Sequence, residues 1–187
     1  MTVDARSEAG VGSSAVNSTL WIALIAGLSV GGSYVYACAA PLAAIAALAA
    51  LKMDRGTGFV LVITAWLANQ LVGYLILDYP QTLNSFAWGG AIGLAAVAGF
   101  LAARSFTEGR ANGLFILVAA LFVSFVFYET ALYAAGFVLG SSEEAFSTAV
   151  VGRILAINAV SFAGLLVLHR AAIALRWLRP SAAPAHA

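Results

Sequence analysis

The chain has 187 residues, of which 63% are hydrophobic and 9% are charged, and its formal net charge is +1. Soluble domains carry about 25% charged residues, so this composition excludes an ordinary soluble globular protein and indicates an integral membrane protein. The small net charge provides no strong field for nucleic acid, and we expect no nucleic-acid partner. The single cysteine, Cys38, excludes an internal disulfide and a zinc site built from several cysteines.

Six apolar segments, separated by polar or glycine-rich breaks, predict an all-α bundle of six transmembrane helices in contact with the lipid bilayer. The predicted helices cover residues 20–36, 41–53, 59–77, 85–103, 113–139 and 146–178. The first two belong to one apolar stretch, 20–51, which is interrupted near Gly31 and at Pro41. A single kinked helix over this stretch, giving five helices in all, is therefore the alternative.

Basic residues are concentrated in alternate breaks between the predicted helices. They are Lys52 and Arg55, then Arg104 and Arg110, and finally Arg170, Arg176 and Arg179 towards the C-terminus. Because cytoplasmic loops are enriched in Lys and Arg, this pattern predicts an inner (plasma) membrane protein with both termini in the cytoplasm. We expect a mobile tail over residues 1–18, the helical bundle over 19–178 and a disordered tail over 179–187.

Polar side chains recur in the outer halves of the predicted helices. The third helix holds an amide pair, Asn69 and Gln70, in a segment that carries no charge. Glu129 in the fifth helix and Arg153 in the sixth are charges inside predicted spans, where they are costly and often functional. Polar groups mixed with aromatic rings at one depth are typical of a ligand pocket. The expected ligand-binding residues are Asn69, Gln70, Tyr74, Glu129, Tyr133, Arg153 and Asn158.

A purely structural interpretation of these residues stays open. Glu129 and Arg153 could form a buried ion pair that joins the last two helices. The amides could make interhelical hydrogen bonds, each worth roughly 0.6 kcal/mol.

Small residues are dense where helices must meet. The second predicted helix carries Ala43, Ala47 and Ala50 along one side, and Gly89 and Gly93 are four residues apart in the fourth. Such faces let helix backbones approach closely, either within one bundle or against a partner subunit in the membrane.

Motifs for catalysis are missing from the sequence. It contains no glycine-rich phosphate loop, no HExxH motif and no histidine cluster. We therefore expect no enzyme, no cofactor and no metal site. A membrane enzyme that uses Glu129 as its acid or base is the poorer alternative.

The layout resembles the substrate-binding (S) components of energy-coupling-factor transporters, in six hydrophobic helices within a short chain, alanine-rich early helices and an outer-half pocket. The resemblance implies a small-molecule ligand and a small-residue surface that docks a membrane coupling subunit. Ala43, Ala47 and Ala50, or Ala23, Gly27 and Gly31, would form that surface. We expect a small protein that binds or transports a small solute; the alternative is a non-catalytic accessory or assembly subunit of a larger membrane complex.

Overall fold

The computed structural model describes residues 40–110 and 113–175, and all regular structure in these ranges is helical. The α-helices are α1 (Leu42–Lys52), α2 (Arg55–Leu75), α3 (Leu83–Thr107), α4 (Leu114–Leu139) and α5 (Thr148–Ala174). A short 3-10 helix, Glu143–Phe146, precedes α5. The all-α prediction is confirmed, and the five predicted segments from 41–53 onwards correspond to α1 to α5. The first predicted helix, 20–36, and both predicted tails lie outside the described residues.

Four of these helices are long and apolar enough to cross a membrane. They are α2 to α5, with 21 to 27 residues and mean hydropathy of 1.6 to 2.2. The remaining helix, α1, has 11 residues, which at 1.5 Å per residue span about 16 Å, about half of the hydrocarbon core. The protein is therefore a multi-pass membrane protein in which one short helix cannot cross the bilayer by itself.

The short helix α1 lies at the centre of the bundle. Each of α2 to α5 packs against it, and every residue from Leu42 to Ala50 is at most 5% exposed. Six of these residues are alanines, which allow four helices to approach the α1 backbone. The predicted docking face of Ala43, Ala47 and Ala50 is consequently covered by the chain's own helices, and these alanines serve internal packing.

The outer surfaces of the four long helices are apolar. Large exposed hydrophobic side chains occur on each of them, including Leu75, Leu94, Phe115 and Val160. A soluble domain would bury such side chains, whereas a membrane protein exposes them to lipid acyl chains.

Short connections make α2 to α5 antiparallel to their neighbours along the chain. The end of α1 and the start of α2 therefore lie beside the end of α3, the start of α4 and the end of α5. We call this side the basic end, because it carries Lys52, Arg55, Arg104, Arg110 and Arg170.

Polar groups at the basic end fix the turn between α1 and α2. Asp54 is the N-cap of α2, and its Oδ1 accepts the backbone N–H of Thr57 at 3.0 Å. Hydrogen bonds from Thr57 hold the pKa of Asp54 below its usual value. The Arg104 guanidinium donates to the Met53 carbonyl oxygen, which joins the end of α3 to the end of α1.

Glycines on α3 permit its close contact with neighbouring helices. A Cβ at Gly99 would lie 2.8 Å from the backbone carbonyl oxygen of Ser124 on α4. A Cβ at Gly93 would lie 2.7 Å from the indole of Trp66 on α2. These glycines are therefore required by packing between helices rather than by backbone conformation.

The contact at Gly99 gives a test of this packing. Gly99→Ala should destabilise the protein by about 1–3 kcal/mol, because the added methyl group overpacks against backbone that cannot rotate away. Gly90 is the matched control on the same helix, since a Cβ there would meet nothing within 4 Å. Gly90→Ala should be neutral or stabilising by up to about 1 kcal/mol, from helix propensity alone. Unfolding in mixed micelles measures both, and equal stability of the two variants would contradict the packing described.

Candidate functional site

The N-terminus of α1 lies inside the bundle, where its backbone groups need partners. Pro41 occupies the N-cap position and makes no side-chain capping hydrogen bond. The cap comes instead from α5, because Asn158 Oδ1 accepts the backbone N–H of Ala44 at 2.9 Å. Ala44 occupies the third helical position, whose N–H has no acceptor within the helix. A side chain 114 residues away therefore performs the capping role.

A second side chain holds the same turn from α4. Ser124 is fully buried and its Oγ donates to the Ala43 carbonyl oxygen at 2.9 Å. Asn158 is also buried, and its Nδ2 donates to the Ile154 carbonyl oxygen one turn earlier on α5. Both polar groups of Asn158 are thus satisfied within the chain. The sequence-based hypothesis assigned Asn158 to a ligand pocket, and the structure gives it a structural partner.

One face of α2 meets α3 and carries Trp66, Gln70 and Tyr74. Trp66 Nε1 donates to the Gly89 carbonyl oxygen at 2.8 Å. The amide of Gln70 occupies the space that glycine leaves at Gly89, where a Cβ would lie 2.6 Å from Gln70 Oε1. Tyr74 Oη and Ser85 Oγ share a hydrogen bond of 3.0 Å. These three residues hold α2 against α3, as the structural interpretation of Gln70 and the rings expects.

Glu129 differs from Asn158 and Tyr74, whose polar atoms make hydrogen bonds. Its side chain is half-buried, and Oε1 is a buried oxygen without a hydrogen-bond partner among the described residues. No ion pair in the described ranges joins it to Arg153, whose side chain is exposed near the start of α5. The ion pair weighed from the sequence is therefore not formed.

Tyr133 lies on the same face of α4 as Glu129, four residues along, as the sequence predicts. Its side chain is exposed, however, and packs against aromatic rings. The ring centroids of Phe137 and Phe146 lie 4.9 Å and 5.3 Å from that of Tyr133, both in edge-to-face geometry. These contacts attach the short 3-10 helix to the end of α4.

Asn69 and Glu129 lie at a similar depth. At 1.5 Å per residue, Asn69 is about 21 Å along α2 from Arg55, and Glu129 is about 22 Å along α4 from Leu114. Both helices start at the basic end. Ser124, which contacts the N-terminus of α1, is about 15 Å along α4, so Asn69 and Glu129 lie beyond that N-terminus. Asn69 is buried and Glu129 half-buried.

Two side chains that hold α1 in place were not predicted from the sequence. Ser124 was missed because a lone serine among phenylalanines and valines carries no distinguishing pattern. The bond from Arg104 to Met53 was missed because the charge of Arg104 was read only as a marker of membrane topology. Within residues 40–110 and 113–175, no group of three or more His, Cys, Asp or Glu side chains comes together.

The two side-chain hydrogen bonds to the first turn of α1 should contribute differently to the stability of the protein. Asn158→Leu should destabilise the protein by about 1–3 kcal/mol, because it leaves the Ala44 N–H buried without an acceptor. Ser124→Ala should cost less, roughly 0.6 kcal/mol, because the Ala43 carbonyl is also an acceptor within the helix. Thermal unfolding in detergent gives the order, and hydrogen exchange at Ala44 should accelerate only in Asn158→Leu. The reverse order of stabilities would show that Asn158 is not the essential cap.

The chain matches no protein-family model, no curated protein and no solved structure. A functional assignment for it therefore depends on the chemistry of its own side chains.

Proposed function

We propose that this protein binds or transports a small solute at a site in the half of the bundle beyond the N-terminus of α1. The observation that carries the proposal is Glu129, which holds a buried carboxyl oxygen without a partner among the described residues. Polar groups buried in a membrane bundle are expensive unless they are satisfied, and unsatisfied ones mark sites of function. A solute with an ammonium, hydroxyl or amide N–H group would provide the missing donor.

The short central helix supports the same proposal. Transport proteins use discontinuous helices whose ends lie near the middle of the bilayer, next to the substrate. Helix α1 begins inside the bundle, and Asn69 and Glu129 lie about one turn beyond its N-terminus. The site would then be built around Glu129, and Asn69 of α2 lies at a similar depth. The site would not include Trp66, Gln70 and Tyr74 of α2, because these side chains are engaged with α3.

The proposal also includes an orientation of the protein in the membrane. The basic end faces the cytoplasm of an inner membrane, both termini are cytoplasmic, and the site lies in the outer half. The concentration of Lys and Arg at one end supports this orientation. An S-component role, in which a separate coupling subunit drives uptake, is the form of the proposal that follows from the resemblance of layout.

The role of the Glu129 carboxyl group in binding can be tested by measuring the solute that copurifies with the protein. Protein purified in mild detergent is denatured, and the released small molecules are quantified by mass spectrometry. Glu129→Gln should lower the amount of the bound molecule by about 10-fold or more, since a hydrogen bond to a charged group contributes about 1.5–3 kcal/mol. Glu144→Gln, which changes an exposed carboxyl outside the long helices, should leave it unchanged. Identical small-molecule profiles for wild type and Glu129→Gln would rule out this site.

A second candidate is an accessory subunit without a ligand of its own. It is favoured by a face of α5 on which small residues are exposed at helical spacing, namely Gly152, Ala156, Ala159 and Ala163. Such a face is suited to close packing against a helix of a partner protein.

Bulky substitution on this face tests the accessory role. Ala156→Trp should release a stoichiometric membrane partner during affinity purification from native membranes, because the indole keeps the helices apart. Ala134→Trp places the same side chain on an exposed position of α4 and should retain the partner. Partner retention in both variants, or a solute lost on Glu129→Gln, would count against an accessory role.

A further inference from the structure

Glu129 is the sole acidic residue of α2 to α5, the long helices that the structure describes. The described Lys and Arg side chains lie at the basic end, except for Arg153, which is exposed and makes no ion pair with Glu129. Residues 7–39, which precede the described part of the chain, contain no Lys, Arg or His. Neither the described residues nor this segment therefore supplies a cation that balances the Glu129 carboxylate.

An ionised carboxyl group that is half-buried in a membrane bundle favours a positive partner over a neutral one. Removing a lone charge from water is costly, and an opposite charge that also donates a hydrogen bond offsets more of this cost than a neutral hydroxyl or amide does. Oε1 of Glu129 is buried and has no hydrogen-bond partner among the described residues. One positive charge would leave the site neutral, whereas an anionic group would be repelled. The carboxylate therefore favours a monocation with an N–H group.

Aromatic rings lie on the same face of α4, one turn further along the helix. Tyr133 is four residues from Glu129, and side chains at this spacing are neighbours, with Cβ atoms about 5–6 Å apart. The Tyr133 ring packs edge-to-face with Phe137 and Phe146 and still remains exposed. The face of an aromatic ring attracts organic cations. A hydrated inorganic ion would use the carboxylate alone, whereas an organic ammonium ion would use both the carboxylate and the ring.

We propose that the solute bound at Glu129 is an organic ammonium ion with one positive charge. Its N–H group donates to the Glu129 carboxyl group, and the carbon atoms beside the charged nitrogen pack against the Tyr133 ring. This inference rests on the proposed function, since it names the chemical class of the solute at the same site. It also gives Tyr133 a part in binding through its ring rather than through its hydroxyl group.

The test is direct binding of two probes of matched shape, benzylammonium and benzyl alcohol, by the full-length protein after its copurified solute is washed out. Calorimetric titration at neutral pH should show that wild type binds benzylammonium about 10-fold or more tightly than benzyl alcohol, because unit charges in contact attract strongly near a protein surface. Glu129→Gln should remove this preference, since the amide carries no charge.

The Tyr133 ring gives a second measurement on the same site. Tyr133→Leu should weaken benzylammonium binding about two- to five-fold, the loss expected for a cation–ring contact at an exposed position. Tyr133→Phe keeps the ring and should bind like wild type. Phe127→Leu is the matched control, because Phe127 is an exposed ring of α4 two residues from Glu129 and therefore on a different face. Equal losses in Tyr133→Leu and Phe127→Leu would contradict the proposed arrangement.

The outcomes separate this inference from the proposed function. Equal binding of the two probes by wild type, or no measurable binding of benzylammonium, would overturn the inference. If Glu129→Gln still lost the copurified solute, the solute site would stand and its chemical class alone would be wrong. A copurified solute that is retained in Glu129→Gln would overturn the site and the inference together.

Discussion

The bundle is built around a short helix whose first turn needs hydrogen-bond partners where no water is available. In hydrocarbon each unsatisfied backbone group costs several kcal/mol, so an isolated helix end cannot remain in the middle of a membrane. The cap from Asn158 and the bond from Ser124 remove this cost. They also fix the depth and rotation of α4 and α5 relative to α1, although α4 and α5 make little direct contact with each other.

The same constraint separates structural polar residues from candidates for function. Gln70, Trp66 and Tyr74 meet glycine backbone or serine across the contact between α2 and α3, and their polar atoms contribute to that packing. Asn158 caps α1. Glu129 differs from these residues, since the structure gives its buried oxygen no hydrogen-bond partner in the described ranges. Fewer of the predicted pocket residues are therefore available to a ligand than the sequence pattern suggested.

Apolar runs and their breaks predicted much of the fold. The segment 113–139 corresponds to α4 almost residue for residue, because no charge or proline interrupts it except Glu129. The central position of α1 could not be predicted, since an alanine-rich segment is equally suited to packing within a bundle or against another subunit. The residues of a pocket were harder to predict than the position of α1. Helical spacing gives the face of each polar residue relative to its neighbours, but not which helix that face meets, and so Arg153 and Glu129 were expected together.

The distance along the chain between α1 and its cap has a consequence for biosynthesis. The chain is made from its N-terminus, so α1 leaves the ribosome long before Ser124 and Asn158, which are 81 and 114 residues away from their partners. Until then the short helix lacks the acceptor that its first turn needs in lipid. Final positioning of α1 must therefore wait for the last two long helices to enter the membrane. A nascent chain that ends before α5 would therefore lack the cap of α1 and leave the centre of the bundle incomplete.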